Sequence, residues 1–98
     1  METSFDIART LQGCLNGDAR CQHALYQHYS ARFYALCCRY LQDPQLAGDA
    51  LMEGFLSVFN NLSRYRQDGP LEAWMRRIFV RQCLKQLRLR QRAPLLPP

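Results

Sequence analysis

No apolar run in the 98 residues approaches the ~18–20 that a membrane-spanning helix needs. The opening METSFDIART has neither a basic segment nor an apolar stretch, so no secretory leader is read there. Glycine and proline are scarce, five of each, and no stretch alternates β-branched residues with polar ones as a strand does. Five cysteines, with no C-x-x-C pair, do not form the even, regular set of a disulfide scaffold. Cys21 and His23 with His28 are half of a zinc site and lack the other half. Free thiols packed as small apolar residues are the expectation instead. Also missing are a Ser/His/Asp or Cys/His spacing, a Gly-rich phosphate loop and a pocketed carboxylate pair. The expectation is a non-enzymatic, cytoplasmic domain without metal or cofactor.

Acid is missing from one end. Residues 1–75 carry six arginines against all eight acids, a net −2, whereas residues 76–98 carry six arginines and Lys85 with no acid, a net +7. Such asymmetry points the C-terminal part toward an acidic partner, nucleic acid before membrane. Twelve of the 13 basic residues are arginine, whose planar fork suits phosphate and base edges better than ammonium does.

What is present is helical periodicity, with 48% hydrophobic residues arranged as an all-α, compact bundle of about four helices. A first helix is predicted from Phe5 to Leu15, capped by Thr3 or Ser4, with Ala8, Leu11 and Leu15 on one face. Asn16-Gly17-Asp18 breaks it, and Asp18 caps a second helix over Ala19–Leu41. There Leu25, Tyr29, Phe33, Leu36 and Tyr40 form a wide stripe flanked by Tyr26, Tyr34 and Cys37. Asp43-Pro44 opens a third helix to about Leu62, with Ala47, Leu51, Gly54, Phe55, Val58 and Leu62 turned to the core. Ser63–Gly69 reads as a polar loop, and Pro70 opens a fourth helix to about Arg92, stopped by Pro94. Residues 1–92 thus read as one domain and 93–98 as the start of a linker.

Two constellations stand out. On the fourth helix Arg77, Arg81, Lys85, Arg88 and Arg92 fall in one ~80° sector over ~22 Å, with Trp74 at its head. Cations along a strand with a ring for unpaired bases is the chemistry of single-strand binding, and the lack of acids favours it over a merely solvated face. Trp74 itself fits a core anchor as well as a stacking ring. Arg64, Tyr65 and Arg66 in the loop could hold a flipped base, or Tyr65 could simply pack beneath the loop. The second constellation is the outer face of the third helix, Asp49, Met52, Glu53, Leu56 and Asn60. Acids interleaved with adaptable apolar side chains suit a basic partner helix, and suit an ordinary solvated face equally well.

In order and spacing, GDARCQHALYQHYS, RYLQDPQLAGDALMEGFLSVF and DGPLEAWMRRIFVRQCLKQLRLRQR resemble region 2 of the extracytoplasmic-function (ECF) sigma factors of the sigma-70 family, over about residues 11–92. Asp43, Ala47, Asp49, Glu53 and Phe55 match the family's third-helix pattern, and Trp74, Ile78, Arg88 and Arg90 its fourth-helix pattern. The resemblance implies core RNA polymerase as partner, its largest-subunit coiled coil docking on the helix of Asp49 and Glu53. It further implies promoter DNA, with the non-template strand of the −10 element captured by the loop and fourth helix. Gly48 stands where the family usually has Glu and Met52 where it has Gln, which implies weakened or retuned polymerase affinity. Arg81 replaces Asn and Lys85 replaces Asp, which implies more phosphate attraction and less base discrimination. The family's second helical domain, which reads the −35 element, has no counterpart here. Beside the polymerase-binding, promoter-melting reading stand two alternatives: a degenerate sigma-like module that binds polymerase or an anti-sigma protein without initiating transcription, and a generic basic helical nucleic-acid binder.

Overall fold

The computed structural model describes residues 5–92, and each of its first three helices begins at an aspartate. The Asp6 carboxylate accepts the Arg9 amide at 3.1 Å to start α1 (Ile7–Leu15). Thr3 and Ser4, the expected caps, lie outside the described residues; Asp6 supplies the acceptor, so Phe5 precedes the helix. Asp18 accepts the Arg20 amide at 2.9 Å and opens α2 (Ala19–Leu41). That backbone hydrogen bond holds the Asp18 carboxyl below its usual range. The cap therefore contributes at neutral pH and is lost as pH falls through the lowered value. Asp43 accepts from Gln45 and Leu46 at 2.9 and 3.2 Å and opens α3 (Pro44–Asn61). The chain then tightens into a 3-10 turn, Leu62–Arg64, so the polar loop begins two residues later than expected. Pro70, whose carbonyl accepts from Ala73 and Trp74, leads into α4 (Leu71–Arg92). Among the described residues there is no strand, and the fold is an all-α bundle of four helices. The tail from residue 93, read as a linker, lies outside them.

Where α2, α3 and α4 meet, three rings interlock. Phe79 of α4 stacks on Phe33 of α2 (centroids 4.4 Å apart, planes within 10°) and presents its edge to Phe55 of α3 at 5.0 Å. The approach is possible because position 54 has no side chain: a Cβ there would lie 2.3 Å from the Phe79 ring. A second bare contact sets α1, where a Cβ on Gly13 would lie 2.1 Å from Cys21 Sγ. It turns α1 so that Leu11 and Cys14 are buried, while Ala8 and Leu15, expected on the buried face, are exposed. On α2 the stripe continues through Cys37 to Leu41, leaving Tyr40 exposed, contrary to expectation. Leu51 is half-buried rather than in the core, because it faces a groove described below.

All five cysteines are free; Cys14, Cys37 and Cys83 are buried. Burial pushes the Cys37 thiol up to about 12 and Cys14 to about 11, and raises Cys83 as well. These three remain thiols at neutral pH and act as core atoms, since only the thiolate is reactive.

Gly54 and Gly48 make opposite predictions although both lie inside α3. Gly54→Ala gains helix propensity but must displace Phe79, and is expected to cost about 1–3 kcal/mol as overpacking does. Around Gly48 a Cβ meets nothing within 4 Å, so Gly48→Ala is expected to stabilise by up to ~1 kcal/mol. Thermal melts of the two variants check this; equal melting temperatures, or Gly54→Ala melting above Gly48→Ala, would refute the packing account. Asp43→Ala removes an acceptor shared by two amides, with an expected loss of ~1 kcal/mol and roughly 4–8 °C in Tm.

Candidate functional site

The exposed side of α3 carries the acidic-apolar set. Asp49, Met52, Glu53, Leu56 and Asn60 are all exposed, Met52 by 66% and Leu56 by 52%. Neither acid makes a salt bridge among the described residues. Beside them, between α2 and α3, runs an apolar groove of about 390 Å³ lined by Tyr26, Leu51, Met52, Phe55, Leu56 and Phe59, with Gly48 at one end. The Tyr26 ring lies 4.9 Å from Phe55 and forms the α2 wall. Met52 and Leu56 thus line a depression that can accept apolar side chains, and Asp49 and Glu53 stand on the outer ridge of α3 beside them, on the side away from α2.

On the other flank of α3 the loop and α4 form an arginine-lined trough. One recess of about 360 Å³ has Arg64, Tyr65 and Arg66 on the loop side and Ala73, Trp74 and Arg77 on the helix side. A second, of about 290 Å³, shares Arg64, Trp74 and Arg77 and adds Ser57, Asn61 and Arg81. Trp74 thus stands between the two. It is half-buried, as is Tyr65, and their rings pack 5.3 Å apart at 40°. The Tyr65 hydroxyl donates to the Gly69 carbonyl, which closes the loop over four residues. Each ring has one side on the core and the other in the trough, so the choice between anchor and stacking platform is not exclusive. The Asn61 amide donates to the Ser57 carbonyl at 2.8 Å and is fixed on the α3 wall.

The electrostatics of the trough depend on where its acids go. Glu72, one turn from Arg76, is instead paired with Arg32 of α2 on the opposite flank of α4. Asp68 is the acid at the rim. Arg77, Arg81, Lys85 and Arg88 are exposed along α4; Arg92 ends the helix and its side chain lies outside the described residues. Arg90, grouped with the basic end by resemblance, turns the other way and donates to the Leu41 carbonyl at 3.4 Å, beside the left-handed Gln42 (φ 54°) that ends α2. It ties two helix ends together. Between Arg77 and Arg81 the surface is not purely basic: Val80 and Leu84 form an apolar strip there, Leu84 being 42% exposed.

Sequence reasoning missed Tyr26, Leu51 and Phe59 in the groove and Ser57 and Asn61 in the trough. Ser57 and Asn61 share a helical face with Gly54, and that spacing was visible; what was not visible is that past Gly54 this face leaves the core and lines a recess with Arg64, Trp74 and Arg77. Among the described residues no three His, Cys, Asp or Glu side chains gather as a metal would require. Both histidines are exposed, with His28 stacked on Phe5 at 3.9 Å. No described helix is long and apolar enough to cross a membrane.

The family model for sigma-70 region 2 matches residues 25–93, from the second turn of α2 through the whole of α4. The chain therefore belongs to the sigma-70 region 2 family. No curated protein matches it.

Because the chain has a single tryptophan, fluorescence reports on the trough alone. Addition of a single-stranded oligonucleotide is expected to quench Trp74, with affinity falling as salt rises by a log–log slope of ~−0.7 per phosphate engaged. Unchanged fluorescence at saturating oligonucleotide, or a flat salt response, would remove Trp74 or the arginines from the interface.

Proposed function

We propose that this member of the sigma-70 region 2 family works as the polymerase-binding and promoter-opening domain of an ECF sigma factor. The observation that carries the proposal is the placement of two unlike surfaces on the two flanks of one helix. An apolar groove lies on the α2 side of α3 and an arginine-aromatic trough on its α4 side, with the exposed Asp49 and Glu53 on the outer ridge between them. In this reading the groove receives the coiled coil of the largest subunit of core RNA polymerase, in the cytoplasm. Met52 and Leu56 supply buried apolar area, and Asp49, Glu53 and Asn60 orient a basic partner. Exposed ion pairs contribute only ~0.2–1 kcal/mol each, so the acids serve register and encounter rate more than affinity.

The trough holds the displaced non-template strand of the −10 element. Opening duplex DNA costs on average ~1.4 kcal/mol of stacking per base-pair step, and stacking an unpaired base on an aromatic ring returns ~1–3 kcal/mol. One or two captured bases against Tyr65 and Trp74 therefore offset the first steps of melting. Arg64, Arg66, Arg77, Arg81, Lys85 and Arg88 add phosphate attraction that does not depend on sequence. No covalent step is required of the chain.

The direct test measures binding of residues 1–98 to core polymerase and opening of a −10 duplex, at two salt concentrations. Asp49→Ala with Glu53→Ala is expected to weaken polymerase binding and leave oligonucleotide binding intact; Arg77→Ala with Arg81→Ala is expected to do the reverse. Gly48→Glu, whose Cβ would meet nothing within 4 Å, is expected to tighten polymerase binding. Polymerase binding with no effect on DNA would assign the chain to the interaction modules, an anti-sigma protein then being the alternative partner of the same faces. DNA binding without polymerase would leave a generic basic binder.

A further inference from the structure

The exposed outer side of α3 and the outer side of α4 complement one another in charge, in apolar pattern and in level along the bundle. α3 and α4 run antiparallel, since Gly54 faces Phe79 while Ser57 and Asn61 share a recess with Trp74 and Arg77. The Gly54–Phe79 contact fixes their relative height. Asp49 and Glu53 then lie level with Leu84 and Val80, within a turn of Lys85 and Arg81. Angular position matters equally. At 100° per residue Asp49 and Glu53 lean toward α4, and Met52 and Leu56 toward α2. On α4, Arg81 and Lys85 lean toward α3, and Val80 and Leu84 away from it. Each helix thus presents a charged inner row and an apolar outer row. The charges are of opposite sign, and among the described residues none of the four is in a salt bridge.

We infer that a second copy of this chain docks on this face as a closed two-fold dimer. A two-fold axis parallel to the helices, placed above the seam between α3 and α4, sets each α3 over the partner's α4 without changing levels. Asp49 and Glu53 then meet Lys85 and Arg81 of the other copy near the axis, and Met52 and Leu56 meet Val80 and Leu84 outside them. Both contacts form twice, so the assembly stops at two. The contact area is two helix faces per copy, at the small end of specific interfaces, and the dimer exchanges rapidly. The exposed Met52, Leu56 and Leu84 are covered in it. Self-association does not rest on the proposed function, but its consequence does. In that reading the dimer covers Asp49, Glu53, Met52 and Leu56 of the polymerase face and Arg81 and Lys85 of the DNA face together, so the free domain is silent until a partner displaces its twin.

Sedimentation velocity of the purified chain under reducing conditions, without polymerase or DNA, tests the dimer independently of the proposed function. A monomer–dimer equilibrium that shifts to monomer with added salt is expected. Two surface variants, Asp49→Arg/Glu53→Arg and Arg81→Glu/Lys85→Glu, each bring like charges together at both contacts, and each is expected to weaken self-association by about tenfold or more. Mixed in equal amounts they restore opposite charges at both contacts and are expected to pair with each other. Folding of each variant is checked by its thermal melt, and the mixture serves as a second check, since a misfolded partner cannot restore pairing. A monomer at every concentration, species larger than a dimer, or a mixture that stays monomeric would overturn the inference.

Discussion

Everything about the working surfaces follows from how closely α4 approaches α3, and that distance is set by the Phe79 ring lying on the bare backbone of Gly54. Fully burying an aromatic side chain is worth ~1.5–3 kcal/mol by area alone, and Phe79 adds a stack on Phe33 and an edge contact with Phe55. One ring therefore holds three helices. With α4 so placed, Arg77 and Arg81 stand beside Asn61 and Ser57, and Trp74 faces the loop that carries Arg64 and Tyr65. A side chain at position 54 would push α4 outward and widen the trough it lines.

The second organising feature is the separation of charge by helix flank. Glu72 sits in the first turn of α4, just ahead of the basic stretch, and its carboxylate is paired with Arg32 and turned from the arginine row. Arg90 is likewise withdrawn to the end of α2. Of the exposed charges on the two helices, Asp49 and Glu53 stand on the outer ridge of α3 and the cations on outer α4, with Asp68 the acid at the trough's rim. The core beneath is chemically quiet, with its buried thiols held in the neutral form by desolvation.

Much of this arrangement was legible in the chain itself. Asp18 and Asp43-Pro44 announce helix starts because capping is local chemistry, and α2 and α3 begin where those residues place them. The exposed set on α3 followed from a period of 3.6. Departures arose wherever a contact between helices, rather than a local preference, decides. Which side of α1 is buried depends on Gly13 meeting Cys21, a pairing that periodicity within α1 does not encode. Leu51 has a core-like spacing, but α2 leaves a groove there, walled by Tyr26. Trp74 and Tyr65 were ambiguous between core and surface because they are in both. Arg90 matched a basic pattern whose members do not all face the same way.

The central claim is that the two flanks of α3 have different partners. Photocrosslinking from Leu56 in the groove and from Ala73 in the trough, in a complex with core RNA polymerase and a −10 promoter duplex, tests it most directly. The account predicts that a probe at position 56 labels the largest polymerase subunit and a probe at position 73 labels the non-template strand. Labelling of DNA from position 56, or of polymerase alone from position 73, would contradict it.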